Sequence, residues 1–172
     1  MKITLLSVLL RPFYHPRPRK LDKMPVRVFS LWHTRKYAAL TYFGLILVHD
    51  EATAASLSRQ SDALCRHELI HLRQAQSTCN SWLIFYLRYG YYSLRLLPVR
   101  HHIRHAVYLL NPFEIEAYLQ MYDAGYLDRL GQEGATEWRR IATMGYRERI
   151  ACLPDWLRNP AEGHDREGER KD

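Results

Sequence analysis

The chain is 172 residues long, 47% apolar and 25% charged, with a formal net charge of +7. That length suits one domain with a proper core and is too short for two comfortable ones, and the composition is that of an ordinary globular protein. Cys65, Cys79 and Cys152 are odd in number, scattered and without a CxxC, which argues against a disulfide framework or a cysteine-based zinc site and fits a reducing, cytoplasmic location.

Three segments follow from composition. Residues 1–25 hold a short apolar run, 3–10, and then four prolines (Pro12, Pro16, Pro18, Pro25) among basic residues. The run lacks a small-residue cleavage site and reads as a strand or anchoring segment rather than a signal peptide, and the prolines make an extended connector. Residues 26–153 carry the expected domain. Residues 154–172 alternate charges with almost nothing apolar, the composition of a disordered tail.

Within the domain, residues 26–32 and 39–48 are rich in β-branched and aromatic side chains and predict two strands joined by the polar turn His33-Thr34-Arg35-Lys36. Residues 50–58 predict a small-residue loop, and 59–76 a helix with Leu64, His67, His71 and Gln74 along one side and Leu69 and Leu72 turned to the core. Residues 82–97 form an aromatic, apolar helix interrupted by Arg88 and Arg95, which lie seven apart on one face; it is too short and too charged to be a good membrane span. Asn111-Pro112 predicts a helix start, since Asn caps well and Pro is favoured at the first helical position. A last helix is expected over 136–152.

The chemistry-bearing stretch is His67-Glu68-Leu69-Ile70-His71, an HExxH. Residues four apart on a helix share a face, so both imidazoles can meet one Zn²⁺ while Glu68 reaches a water beside it. A catalytic zinc usually takes three protein ligands, and the third is expected from a later element. Asn111-Pro112-Phe113-Glu114-Ile115-Glu116-Ala117-Tyr118 offers Glu114 and Glu116. Glu114 has a second reading, as the closing residue of a capping box three after Asn111. His101 and His105 repeat the i, i+4 spacing without an intervening Glu and read as a basic surface feature.

HExxH followed by Glu on a later helix resembles the gluzincins, zinc peptidases in which that Glu is typically followed three positions on by a small residue. Glu114 with Ala117 matches this pattern and Glu116 does not. Residues 66–74, an aromatic segment and then Phe-Glu-x-Glu-Ala-Tyr also look like a group of small uncharacterised bacterial proteins with the same order. The resemblance spans residues 41–126, half the chain, and its motifs rest on seven residues. The chain departs from the pattern at Tyr118, where many gluzincins have an Asp that fixes a metal-bound histidine. For the oxyanion-stabilising Tyr or His, Tyr118 and the His101–His105 cluster are candidates.

The resemblance therefore implies an α+β, predominantly α, zincin-like domain with a short N-terminal β-hairpin beside the active-site helix. His67, His71 and Glu114 would hold Zn²⁺ and Glu68 would act as general base in peptide-bond hydrolysis, with the strand over 41–48 as the sheet edge that receives an extended peptide or protein substrate. The alternative is a non-catalytic zincin-like module that binds a membrane surface or a protein. Its support is the stretch from Leu69 to Phe113, which holds Arg73, Arg88, Arg95, Arg100 and Arg104 and no Asp or Glu. Such a block suits peripheral association with anionic lipid. Nucleic acid is not expected, because the charge follows no recognised motif, and the oligomeric state is left open.

Overall fold

The computed structural model describes residues 26–28, 39–57, 63–100 and 105–158. The class is α+β and predominantly helical, as expected. A three-stranded sheet is made by β1 (Val26–Val28), β2 (Ala39–Tyr42) and β3 (Leu45–Val48) in the order β1-β3-β2. The segment expected as one strand over 39–48 is instead a hairpin, in which Thr41 pairs with Ile46 and Tyr42 with Leu45. Its two-residue turn places Phe43 at φ 41 and Gly44 at φ 80, the left-handed pair that matches the twist of a tight hairpin. β1 runs parallel to β3 rather than making a hairpin with the next strand. β3 is therefore central and β2 is a sheet edge, which moves the expected substrate-side edge from residues 41–48 to Ala39–Tyr42. The turn expected at 33–36, the His101 to Arg104 part of the histidine cluster and the segment 1–25 lie outside the described residues.

Residues 51–57 form helix α1 (Glu51–Leu57), where a loop was expected. Asp50 starts it by accepting from the Thr53 N–H at 2.7 Å, a capping role that small-residue composition hides. The HExxH lies on α2 (Ala63–Ser77), and the aromatic helix is α3 (Trp82–Arg95), capped by Ser81. A 3₁₀ turn at Leu97–Val99 carries Pro98, and α4 (Ala106–Leu109) leads to α5 (Pro112–Gln120). Asn111 caps α5 as expected, its side-chain oxygen accepting from the Phe113 N–H at 3.2 Å. After α6 (Tyr126–Arg129), the single helix expected over 136–152 is two, α7 (Trp138–Thr143) and α8 (Tyr146–Cys152). The break falls at Met144-Gly145, where both residues are extended and Glu148 accepts from the Gly145 N–H at 2.6 Å. Residues 155–158 of the segment expected to be disordered instead form α9 (Asp155–Arg158), which packs the Trp156 ring on Tyr118, and residues 159–172 lie outside the described residues.

Helix α2 sits between the sheet and α5. On one side Cys65 and Leu69 pack with Ile46 and Val48, and on the other Ile70 meets Ala117, all with 5% exposure or less. The small Ala117 lets α5 approach α2 closely enough to share a site. Phe113, Trp138, Trp82 and Phe85 fill the space between α2, α3, α5 and α7. Gly134 lies against the end of α2 at φ 76, and a Cβ there would stand 2.1 Å from the Arg73 carbonyl oxygen, so only glycine fits. Among the described residues no helix is long and apolar enough to cross a membrane.

Candidate metal centre

Four buried side chains bring the expected chemistry together: His67, Glu68 and His71 from α2 and Glu114 from α5. The Nε2 atoms of His67 and His71 are 3.2 Å apart. Glu114 straddles them, with Oε2 at 3.3 Å from His67 Nε2 and Oε1 at 3.4 Å from His71 Nε2. Zinc–ligand bonds of about 2.0–2.1 Å require tetrahedral edges of about 3.3–3.4 Å, which matches these separations. The two histidines meet different carboxylate oxygens, so a set of one atom per residue is looser and spans up to 4.8 Å. A small rotation of the carboxylate changes which oxygen faces each ring. Among the described residues this trio is the group of His, Cys, Asp and Glu side chains placed to hold a metal.

The tautomer of His71 is set by its neighbours. The Gln74 amide nitrogen donates to the Phe113 carbonyl at 2.9 Å and to Glu116 Oε2 at 2.7 Å, both pure acceptors. Its oxygen must therefore be the atom 2.8 Å from His71 Nδ1, so Nδ1 carries the hydrogen and Nε2 presents a lone pair to Glu114. Glu114 Oε1 accepts from the Tyr89 hydroxyl at 2.8 Å, while Oε2 has no hydrogen-bond partner. The His71 lone pair and the unpartnered Glu114 oxygen thus converge beside His67 Nε2 in a buried place, an arrangement that favours a cation. Two imidazoles and a carboxylate suit Zn²⁺ better than Ca²⁺ or Mg²⁺, which prefer all-oxygen shells.

Without metal, a proton takes that place. Burial opposes charge on His71, yet the Glu114 carboxylate beside it lifts its pKa from 6.5 to about 9. Burial likewise opposes charge on Glu114, but His71 and His67 hold its carboxyl well below the ordinary 4.5. The raised His71 value stabilises the fold fully below about pH 6.5, and that contribution is lost as pH rises through about 9. The depressed Glu114 value stabilises above about pH 4.5 and is lost in acid. Chelator-treated protein is therefore expected to have its highest melting temperature between about pH 4.5 and 6.5 and to lose stability up to about pH 9. Zinc must displace the His71 proton, so zinc-loaded protein should show the opposite slope between pH 6.5 and 8, measurable by paired thermal scans.

Glu68 points into the cavity beside the trio and accepts from the Thr41 hydroxyl of β2 at 2.5 Å. That bond ties the expected general base to the edge strand. The cavity is about 490 Å³ and is lined by Ala39, Leu40 and Thr41 of β2, by Glu68, His71 and Glu114, and by Phe85, Tyr86, Tyr89 and Tyr108 among others. His105, at φ 60 before α4, also lines it. Tyr86 bridges the β2 edge, donating to the Thr41 carbonyl at 2.7 Å and accepting from the Phe43 N–H at 3.2 Å.

Glu116, the other candidate ligand, points away from the trio. Its carboxylate accepts from Gln74 at 2.7 Å, the Tyr126 hydroxyl at 2.7 Å, and the backbone N–H groups of Glu137 at 2.9 Å and Trp138 at 3.2 Å. It anchors the Gln74–His71 relay to the segment entering α7. The capping-box reading of Glu114 also fails, because that carboxylate faces the histidines rather than the backbone of Asn111. Tyr118, in the position of the gluzincin Asp, lays its ring on His67 at 4.6 Å between centroids. It does not bond the His67 Nδ1, which has no hydrogen-bond partner among the described residues. Sequence reasoning missed Tyr89 and Tyr108. Both are near Glu114, and burial, reinforced by the Glu114 charge, raises their pKa values far above 10 and keeps both hydroxyls protonated. The helical spacing of Tyr86 and Tyr89 on the face that also carries Trp82 and Phe85 was the available signal for Tyr89.

No family model, curated protein or solved structure matches the chain. The site's chemistry stands on its own geometry.

Proposed function

We propose that the protein is a zinc-dependent peptidase of gluzincin type, with His67, His71 and Glu114 as the ligands and Glu68 as the general base. The observation that carries the reading is the convergence of two buried imidazoles and a carboxylate at tetrahedral separations on the wall of an open cavity. A structural zinc is closed off by its ligands, whereas a catalytic one keeps a position open.

Zinc, when bound, would polarise water and lower its pKa to about 7. Glu68 takes the proton from the attacking water and passes it to the leaving amine, a role in which the Thr41 hydroxyl holds one of its oxygens and leaves the other toward the cavity. Tyr108, kept protonated, donates to the carbonyl oxygen as negative charge develops on it. The substrate backbone pairs with β2 at Ala39 and Leu40, because Tyr86 already occupies the Thr41 carbonyl and the Phe43 N–H. The aromatic wall of Phe85, Tyr89 and Tyr108 favours a bulky apolar residue next to the scissile bond.

Elemental analysis of the purified protein tests the metal centre directly. One zinc per chain, lost in both His67→Ala and Glu114→Ala, is the expected result. No zinc after reloading, or zinc retained by Glu114→Ala, would overturn the ligand set. In the zinc-loaded protein, Tyr108→Phe is expected to lower kcat by about 10²-fold with KM and zinc content little changed, read from steady-state hydrolysis of peptides with bulky apolar residues.

A further inference from the structure

Helix α3 turns two different faces outward and inward. Trp82, Phe85 and Tyr89 face the core and the cavity, whereas Leu83, Leu87, Tyr91 and Leu94 fall in one arc of about 80° on the opposite side at 100° per residue. These four are 46%, 64%, 54% and 65% exposed. Leu97, just beyond the helix, extends the stripe. Single exposed leucines need no explanation, but a continuous row of them does.

The stripe has a charged flank of one sign. Arg88 and Arg95 lie together along one side of it and are both exposed. Arg95 sits over the Tyr91 ring at 5.8 Å, and Arg88 over Trp138 at 5.4 Å. Arg139 of α7 reaches the same Trp138 ring at 5.7 Å, but its guanidinium donates to the Ser77 carbonyl at 2.8 Å. No Asp or Glu occurs from Leu69 to Phe113. Arg73, which the sequence groups with this block, does not belong to it, because it bonds the carbonyls of Leu130 and Gly131 on another side.

We propose that α3 docks the protein on an anionic lipid bilayer, lying in the interface with the leucine stripe immersed and Arg88 and Arg95 on the phosphates. An apolar arc with cations beside it and tyrosine at its border is the pattern of an in-plane interfacial helix. Charge complementarity selects the occupant: a second copy of the chain would bring the same cations against the same cations, whereas anionic headgroups neutralise them. At 14 residues the helix is about 21 Å long, which suits lying on a bilayer and is too short to cross one. The surface is independent of the zinc site, so either can fail alone.

Co-sedimentation of the full chain with vesicles tests it, comparing phosphatidylcholine alone with vesicles containing one-third phosphatidylglycerol. Binding is expected only to the anionic vesicles and should be lost at about 0.5 M salt, where screening acts within about 4 Å. The double variants Arg88→Glu/Arg95→Glu and Leu87→Asp/Leu94→Asp should each bind at least about tenfold more weakly, with melting temperature and zinc content unchanged. Equal binding to neutral vesicles, or undiminished binding by either variant, would overturn the proposal. So would a dimer in sedimentation velocity that Leu87→Asp/Leu94→Asp dissociates, which would assign the stripe to a second copy. Absent vesicle binding together with a lowered melting temperature in the leucine variant would assign it to the chain itself.

Discussion

Glu68→Gln is expected to retain one zinc per chain and to lower peptide hydrolysis by about 10²–10⁴-fold, the usual contribution of a general base. The amide keeps the shape of the carboxylate and can still accept from the Thr41 hydroxyl, so the fold should be undisturbed. What it loses is the ability to take a proton from water. Metal content and melting temperature measured on the same preparation separate this effect from damage to the site. Turnover within tenfold of the unchanged protein would remove Glu68 from the mechanism. The Thr41→Val variant gives a graded control: it removes the hydroxyl that orients Glu68 and should reduce kcat by less than Glu68→Gln does.

Glu116→Leu is expected to be the most damaging single change for stability, by about 3–5 kcal/mol in denaturant unfolding. The glutamate is fully buried, and four donors from Gln74, Tyr126, Glu137 and Trp138 converge on it. Burial raises its pKa and the four hydrogen bonds oppose that shift. Leucine would leave the Trp138 N–H and one Gln74 amide hydrogen unpaired in the core, where Gln74 keeps only its bond to the Phe113 carbonyl. It would also strip the half-buried Tyr126 and Glu137 donors of their acceptor, at a cost of about 1–3 kcal/mol for each donor that stays unsatisfied. Glu116→Gln keeps two acceptor lone pairs and should cost less. The comparison with Glu114→Ala is diagnostic: that change should remove zinc while leaving the metal-free fold cooperative, because Glu114 meets the histidines and Tyr89 rather than the packing of α7. A Glu116→Leu protein as stable as the unchanged one would refute the anchoring role.

These two glutamates also show where sequence reasoning ends. Each lies on α5 with a carboxylate, two residues apart, so they point about 200° from one another around the helix. Spacing establishes that only one of them can meet the α2 histidines, although Glu116 still reaches α2 through Gln74. Which one does is a matter of helix phase, and the packing of Ala117 against Ile70 fixes that phase. The pattern of a small residue three after the ligand therefore has a physical basis here: Ala117 lies on the face of closest approach, one turn from Glu114.

What the chain determines locally could be read from its letters. The i, i+4 histidines of α2, the Asn111-Pro112 start of α5, the aromatic helix over 82–95 and the basic, acid-free stretch all depend on neighbours within a turn or two. Local signals did less well wherever pairing partners were distant or absent. The run over 39–48 hid a hairpin, because Phe43-Gly44 lacks the usual Asn-Gly or Asp-Gly pair and the strand composition continues across it. The parallel pairing of β1 with β3 follows from no local pattern at all. Likewise, Tyr89, Tyr108 and Gln74 acquire their roles only when α3, α4 and α5 close around α2, since a hydroxyl or amide becomes part of a site through what it touches. The sequence by itself determined which helix carries the histidines and which face they share. The resemblance pointed to Glu114, and tertiary structure placed it against the histidines. The base's tether to β2 and the exposed arc of α3 came from tertiary structure alone, because each depends on contacts between residues far apart in the chain.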